Sequence, residues 1–112
     1  MNVIGQRGEE LAATFIEKMG YLVLAKNWRC ERGELDLVAK DGVTLVFIEV
    51  KTRRSTRFGS PSEAVDVRKQ EKLRLLARHY IYQTHTTSSV YRFDVISVDG
   101  KTDVVTHIKD AF

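Results

Sequence analysis

Glu34-Leu35-Asp36-Leu37-Val38-Ala39-Lys40-Asp41-Gly42-Val43-Thr44-Leu45-Val46-Phe47-Ile48-Glu49-Val50-Lys51-Thr52 is two β-rich runs, Glu34 to Lys40 and Thr44 to Thr52, flanking an Asp-Gly pair. Asp-Gly tolerates positive φ, so this pattern predicts an antiparallel hairpin. With Asp41-Gly42 central in a two-residue turn, Lys40 faces Val43 and Asp36 faces Phe47, which makes Glu49 the diagonal neighbour of Asp36. Side chains alternate with period two. Asp36, Phe47, Glu49 and Lys51 therefore project to one side, and Leu35, Leu37, Ile48 and Val50 to the other. Diagonal neighbours lie ~7 Å apart, a gap that one divalent cation between two carboxylates can span.

Working outward, Leu11, Ala12, Phe15, Ile16 and Met19 recur at helical spacing and predict a helix from Gly5 to Met19, ended by Gly20. Tyr21 to Trp28 reads as a first strand. Arg53 to Pro61 has no periodicity and reads as a basic, mobile loop. A second helix runs from Asp66, a good N-cap, to Gln83, with Lys69, Leu73, Leu76, Ala77 and Tyr80 on one face. Tyr91 to Val98 and Val104 to Ile108 complete the strands around a turn at Asp99-Gly100. The expected fold is α/β, an α+β mixed sheet in the order α-β-β-β-α-β-β with one helix on each side. Its 112 residues suffice for one hydrophobic core, so a single domain over residues 1–112 is expected.

The two helices add to the hairpin's acidic patch. On the first, Glu9 falls at the margin of the apolar stripe while Glu10 points to solvent, and Gly5 and Gly8 let the helix start approach the strands. Lys69 sits near the centre of the second helix's apolar stripe, where an unpaired lysine is expensive to bury, so it requires an acidic partner. Gln70 is expected close by on the same side. Each feature alone fits a helix cap, a structural ion cluster or a snorkelling lysine. Jointly, two acids and a lysine on a core-facing sheet surface favour function.

Lys51, Arg53, Arg54, Arg57, Arg68, Lys69, Lys72, Arg74 and Arg78 face only Glu63, Asp66 and Glu71 in the same stretch. Such a cluster favours a polyanion, nucleic acid above all, against the alternative of a solvated helix face. No apolar run approaches a ~20-residue membrane span and the N-terminus lacks a signal-peptide layout, so a cytoplasmic protein with no membrane partner is expected. Cys30 is alone and reads as inert. His79, His85 and His107 are scattered and suggest surface or half-buried positions rather than a metal site. Trp28 suits core packing, and Phe58 either packs or stacks on an unpaired base. Leu75 and Tyr82, opposite the second helix's core stripe, would serve a homodimer or an interaction protein.

Asp36 followed by Glu49-Val50-Lys51 resembles the Asp…Glu-x-Lys signature of the PD-(D/E)XK nuclease superfamily, in which an upstream helical glutamate often joins the metal site; Glu9 fits that place. Leu35, not proline, precedes Asp36. Over nearly its whole length the chain also resembles the bacterial YraN-like family, through Gly8-Glu9, Gly20-Tyr21, Asn27, Arg29, Gly33-Glu34-Leu35-Asp36-Leu37, Phe47 to Lys51, Arg53, Phe58-Gly59, Lys69 and Arg92-Phe93-Asp94. The resemblance implies a restriction-endonuclease-like fold similar to small Holliday-junction resolvases. It implies an endonuclease acting on DNA, in which Asp36, Glu49, the Val50 carbonyl and Glu9 hold Mg²⁺ or Mn²⁺. Lys51 would orient water or stabilise the transition state and Lys69 would assist. Arg29, Arg53, Arg54, Arg57, Arg68, Lys72 and Arg78 would hold the nucleic-acid backbone. The alternative is a catalytically inactive nucleic-acid-binding module of a repair or processing complex.

Overall fold

The computed structural model describes residues 3–53, 65–88 and 90–112. It contains α1 (Val3–Lys18), β1 (Leu22–Cys30), β2 (Gly33–Asp41), β3 (Thr44–Arg53), α2 (Val67–Thr84), β4 (Tyr91–Asp99) and β5 (Val105–Ile108). The strands form one sheet in the order β1-β2-β3-β4-β5, antiparallel throughout except for β3 beside β4. That parallel pair requires a long crossover, which α2 supplies. The chain is thus an α+β mixed sheet with two helices, as its periodicities predict. Among the described residues, no helix is long and apolar enough to cross a membrane.

Each helix covers one face. Ala12, Ala13 and Ile16 of α1 pack on Leu37, Ala39, Val46, Ile48, Ile96 and Val98. Leu73, Leu76, Ala77 and Tyr80 of α2 pack on Leu35, Val38, Leu45, Phe47 and Val95. With both faces covered, the central strands are apolar at nearly every position, the expected sequence of a sheet buried on both sides. Trp28 and Cys30 join the α2 layer, Trp28 meeting Tyr80 edge to face.

The helix ends follow local chemistry. Asp66 caps α2 by accepting from the Lys69 amide at 2.9 Å. Gly20, at φ 94, closes α1 with Tyr21 N–H bonded to the Ile16 carbonyl and Gly20 N–H to that of Glu17, a Schellman arrangement. This stops the helix at Lys18, so Met19 falls outside the apolar stripe and is 42% exposed.

The central hairpin departs from the expected register. Asp41 pairs with Thr44 and Leu37 with Ile48, so the turn is Gly42-Val43 rather than Asp41-Gly42. Gly42 takes the first central position at φ 60, where the primed turns need positive φ, and Val43 goes to solvent at 78% exposure. A two-residue slip preserves faces but changes partners. Asp36 consequently lies across from Glu49, one position beyond the last paired residues, rather than across from Phe47.

Leu35 is a second correction. It belongs to the α2 layer while Leu37 belongs to the α1 layer, although residues two apart normally share a face. The strand therefore rotates at Asp36. Its neighbour on β1 shows the same irregularity: Asn27, between the pairs Lys26↔Leu37 and Trp28↔Leu35, has φ 52, a left-handed conformation that asparagine tolerates better than most residues.

Candidate functional site

The site forms where β2 leaves β3. A continued ladder would set Val50 against Leu35; instead the Val50 amide donates to Asp36 Oδ2 at 2.9 Å. Glu49, on the α2 side of β3, is 7% exposed. Lys69 Nζ approaches Glu49 Oε2 to 3.3 Å, so the lysine in the α2 stripe has the acidic partner its position demands. The approach is an ion pair without hydrogen-bond alignment, because Oε2 is buried and finds no donor among the described residues. Lys51 shares Glu49's side of β3 by alternation, is half-buried, and makes no ion pair among the described residues. Gln70 does not turn to the patch: its side-chain amide donates to the Val65 carbonyl at the helix entry, 3.1 Å away.

Glu9 reaches this cluster although α1 packs on the other face of the sheet. It does so because Leu35 turns to the α2 layer, which by alternation sets the flanking Glu34 and Asp36 toward α1. A Cβ at buried Gly8 would collide with Thr52 Oγ1, so only glycine lets α1 sit this close to β3. Carboxylate oxygens of Glu9, Glu34 and Asp36 lie within 4.8 Å of one another. Glu34 is a residue the sequence reading missed, although it sits two positions from Asp36 in the same strand. Asn27 is another: it hydrogen-bonds the Glu9 side chain and with Glu9, Lys26 and Asp36 lines a pocket of about 310 Å³.

Glu49 has Lys69 and Glu34 has Arg29 as cationic partners, whereas Asp36 and Glu9 make no ion pair among the described residues. Burial, then the hydrogen bond and negative charge of Glu49, push the Asp36 carboxyl up from 3.8 to about 8; the Val50 amide opposes this. Burial also raises Glu9, with Glu34 and Glu49 adding to the effect and Asn27 and Arg29 opposing it. A divalent cation would reverse these shifts. The donor set of Glu9, Glu34 and Asp36 is all oxygen, the type magnesium and manganese take, and Glu49 Oε2 beside it has Lys69 at 3.3 Å but no hydrogen-bond donor among the described residues. The residues fit such an ion.

The cationic residues distribute unevenly. Arg29 pairs with Glu34 through Nε at 3.0 Å, Arg53 ends β3, and Arg68, Lys72 and Arg78 are exposed on α2. Arg54, Arg57 and Phe58, and the expected loop through Pro61, lie outside the described residues, Arg53 excepted. Tyr82 is 80% exposed and Leu75 half-buried.

A separate polar cluster occupies the far side of β4. Asp94, fully buried, accepts from Arg92 Nε at 2.9 Å and Nη2 at 3.0 Å and from the Asp110 amide at 3.0 Å, and its Oδ2 lies 2.7 Å from His107 Nε2. Arg92 continues to Asp41 and to the Tyr21 hydroxyl. Burial pushes Asp94 up, but His107, Arg92 and the Asp110 amide outweigh it and hold the carboxyl below its usual value. His107 is thereby more enclosed than its scattered position in the sequence suggests, its side chain only 5% exposed. This network ties β5 and the following residues to β4 and the hairpin end.

An α+β sheet with half-buried Asp36 and buried Glu49 at a strand break, with Lys51 and Lys69 on the Glu49 side, is the class the coordinates define. The model of the Uncharacterised protein family UPF0102 matches residues 8–98. A UPF0102 protein of Caldicellulosiruptor saccharolyticus is 46% identical over 113 residues, spanning 97% of this chain and 96% of that protein. Those of Nocardia farcinica and Frankia casuarinae are each 45% identical, spanning 97% and 99% of this chain and 88% and 97% of their own. The chain belongs to the UPF0102 family.

Proposed function

We propose that this protein is a divalent-metal-dependent endonuclease that hydrolyses phosphodiester bonds in DNA, branched or repair intermediates included. The observation that carries the reading is the juxtaposition of Asp36, its carboxylate within 4.8 Å of those of Glu9 and Glu34, with Glu49, whose buried Oε2 has no hydrogen-bond donor among the described residues. A structural ion network would have satisfied both acids, as the Asp94 cluster does. The order and spacing of Asp36, Glu49 and Lys51, which resemble the PD-(D/E)XK signature, support the same conclusion, as does a mixed sheet compatible with a restriction-endonuclease-like fold.

Asp36 and Glu49 would hold Mg²⁺ or Mn²⁺, with Glu9 and Glu34 beside them and the Val50 backbone, already engaged with Asp36, at the junction. When bound, the ion supplies Lewis acidity at the scissile phosphate and an activated water nucleophile. The Val50 amide fixes the Asp36 rotamer. Lys69 holds Glu49 in place by its charge, and Lys51, which makes no ion pair among the described residues, is the group available to orient water or to neutralise charge developing on the phosphate. Without a cation the acids repel the phosphate, so loading would switch the patch from hostile to receptive. Arg53, Arg68, Lys72 and Arg78, with Arg54 and Arg57, would grip the backbone on either side, while Arg29 orients Glu34.

The test is incubation with Mg²⁺ or Mn²⁺ and a panel of labelled linear, flapped and four-way DNAs. Cutting of at least one substrate, abolished by EDTA, is the expected result. Salt-sensitive binding with no cutting in either metal would replace the enzyme by a nucleic-acid-binding module.

A further inference from the structure

A second concavity lies on the α2 side of the sheet, between α2 and β4. Its volume is about 210 Å³, and it is lined by Phe47, Ala77, Ile81, Tyr91 and Phe93, with Arg74 and Arg78 completing the wall. Phe47 is buried and stacks on Phe93 with rings 5.4 Å apart at 25°. Phe112 stacks on Phe93 at 5.2 Å and 26°, and the Arg74 guanidinium lies 5.8 Å from the Phe93 centroid and 5.4 Å from that of Phe112. The aromatic wall is thus held from several sides, and a ligand entering it would order little that is not already ordered. No acidic residue lines the pocket among the described residues. Tyr91 is 45% exposed and Arg78 lies in solvent.

We propose that this arginine-rimmed aromatic pocket receives one unpaired nucleobase of a nucleic-acid strand whose backbone continues along α2 toward Glu49 and Lys69. The inference rests on the nucleic-acid reading above and specifies its substrate as one with unpaired nucleotides. Three features select this occupant. The cavity is smaller than the ~300–1,000 Å³ of sites for drug-sized ligands, which suits a single planar ring. Apolar and aromatic walls bind any base through its π-face, whereas the two guanidiniums of the wall, with no acid in the lining among the described residues, complement the flanking phosphates. Phe47 lies two residues, ~7 Å, from Glu49 on the same side of β3, and Arg78 lies nine residues, ~14 Å, from Lys69 along α2. That span equals roughly four stacked nucleotides at ~3.4 Å each. A paired base cannot enter without leaving its stack, so a continuous duplex is disfavoured.

The test measures fluorescence anisotropy of a labelled oligothymidylate and of a blunt duplex, in EDTA so that no cutting intervenes, with wild type, Tyr91→Ala, Ile81→Asp and Arg78→Ala. Tyr91→Ala and Ile81→Asp should each weaken single-strand binding by roughly tenfold, the loss of one base stack, with duplex affinity unchanged. Arg78→Ala, at an exposed position that folding tolerates, should lower affinity and reduce the salt slope by about one. If wild type binds but Tyr91→Ala and Ile81→Asp lose nothing specific to single strands, the pocket assignment fails and the nucleic-acid reading stands. If wild type binds neither oligonucleotide at low salt, in EDTA or with Mg²⁺ present, both fail together. A wild-type dimer that Ile81→Asp converts to monomer in sedimentation would make a second copy of the chain the occupant and overturn the proposal.

Discussion

The Val50 amide donates to Asp36 Oδ2 at 2.9 Å, so a side chain occupies the place where β2 should have offered a backbone carbonyl. This one substitution of partner explains several features together. It ends the β2–β3 ladder at Leu37 and Ile48, accompanies the turn of Leu35 to the α2 layer, and leaves Glu34 and Asp36 toward α1, where Glu9 meets them.

The close approach of α1 depends on Gly8. In Gly8→Ala the new methyl meets Thr52 Oγ1, on a β-branched side chain with little rotamer freedom. Overpacking of this kind costs about 1–3 kcal/mol, exceeding the helix propensity gained. Urea denaturation should show the loss, and calorimetric Mn²⁺ affinity should fall as Glu9 is displaced. Adding Thr52→Ala removes the clash and should restore both; no rescue would mean that the contact does not set the position of α1.

Asp36 makes the metal-free protein sensitive to pH in a defined direction. Its carboxyl is raised from 3.8 to about 8, so between these values the folded state holds a proton the unfolded state has released. Stability contributed by this group is therefore full below about pH 4 and is lost as pH rises toward 8. In EDTA, wild type should lose stability across that window relative to Asp36→Asn, which can still accept from the Val50 amide. Saturating Mg²⁺ should flatten the wild-type slope by keeping Asp36 ionised. Parallel wild-type and Asp36→Asn profiles in EDTA would show that Asp36 titrates normally.

The Asp94 cluster should matter for folding rather than for the acidic site. Asp94→Ala leaves Arg92 with only Asp41 and the Tyr21 hydroxyl and deprives the buried His107 ring and the Asp110 amide of their acceptor. Breaking a buried charged network by removing one member costs about 3–5 kcal/mol. A corresponding drop in denaturation midpoint is expected, while Mn²⁺ affinity of the folded variant should match wild type.

The helices, the hairpin faces and the pairing of Lys69 with an acid were legible in the sequence because they follow from periodicity and from the cost of burying charge. The turn was misplaced by one position because Asp-Gly is compatible with two adjacent registers, and only the packing of the whole hairpin selects between them. Leu35 was misassigned and Glu34 missed for a related reason: strict alternation assumes a regular strand, and the rotation at Asp36 accompanies a hydrogen bond between residues fourteen apart. Arg92 and Asp94, two apart in β4, share a face locally, but His107, Asp41 and Tyr21 join them only after the sheet forms.

The most direct measurement separates the jobs assigned to Asp36, Glu49 and Lys51 by following DNA binding and cleavage in parallel. Asp36→Ala and Glu49→Ala each remove a metal ligand, so cleavage in Mg²⁺ or Mn²⁺ should vanish while metal-free binding holds or tightens with the loss of negative charge. Lys51→Ala leaves the ligands intact and should lower cleavage by about 10²-fold, the cost of one electrostatic stabiliser, with binding little changed. Wild type and all three variants binding DNA alike, with none cutting any substrate in either metal, would contradict the account.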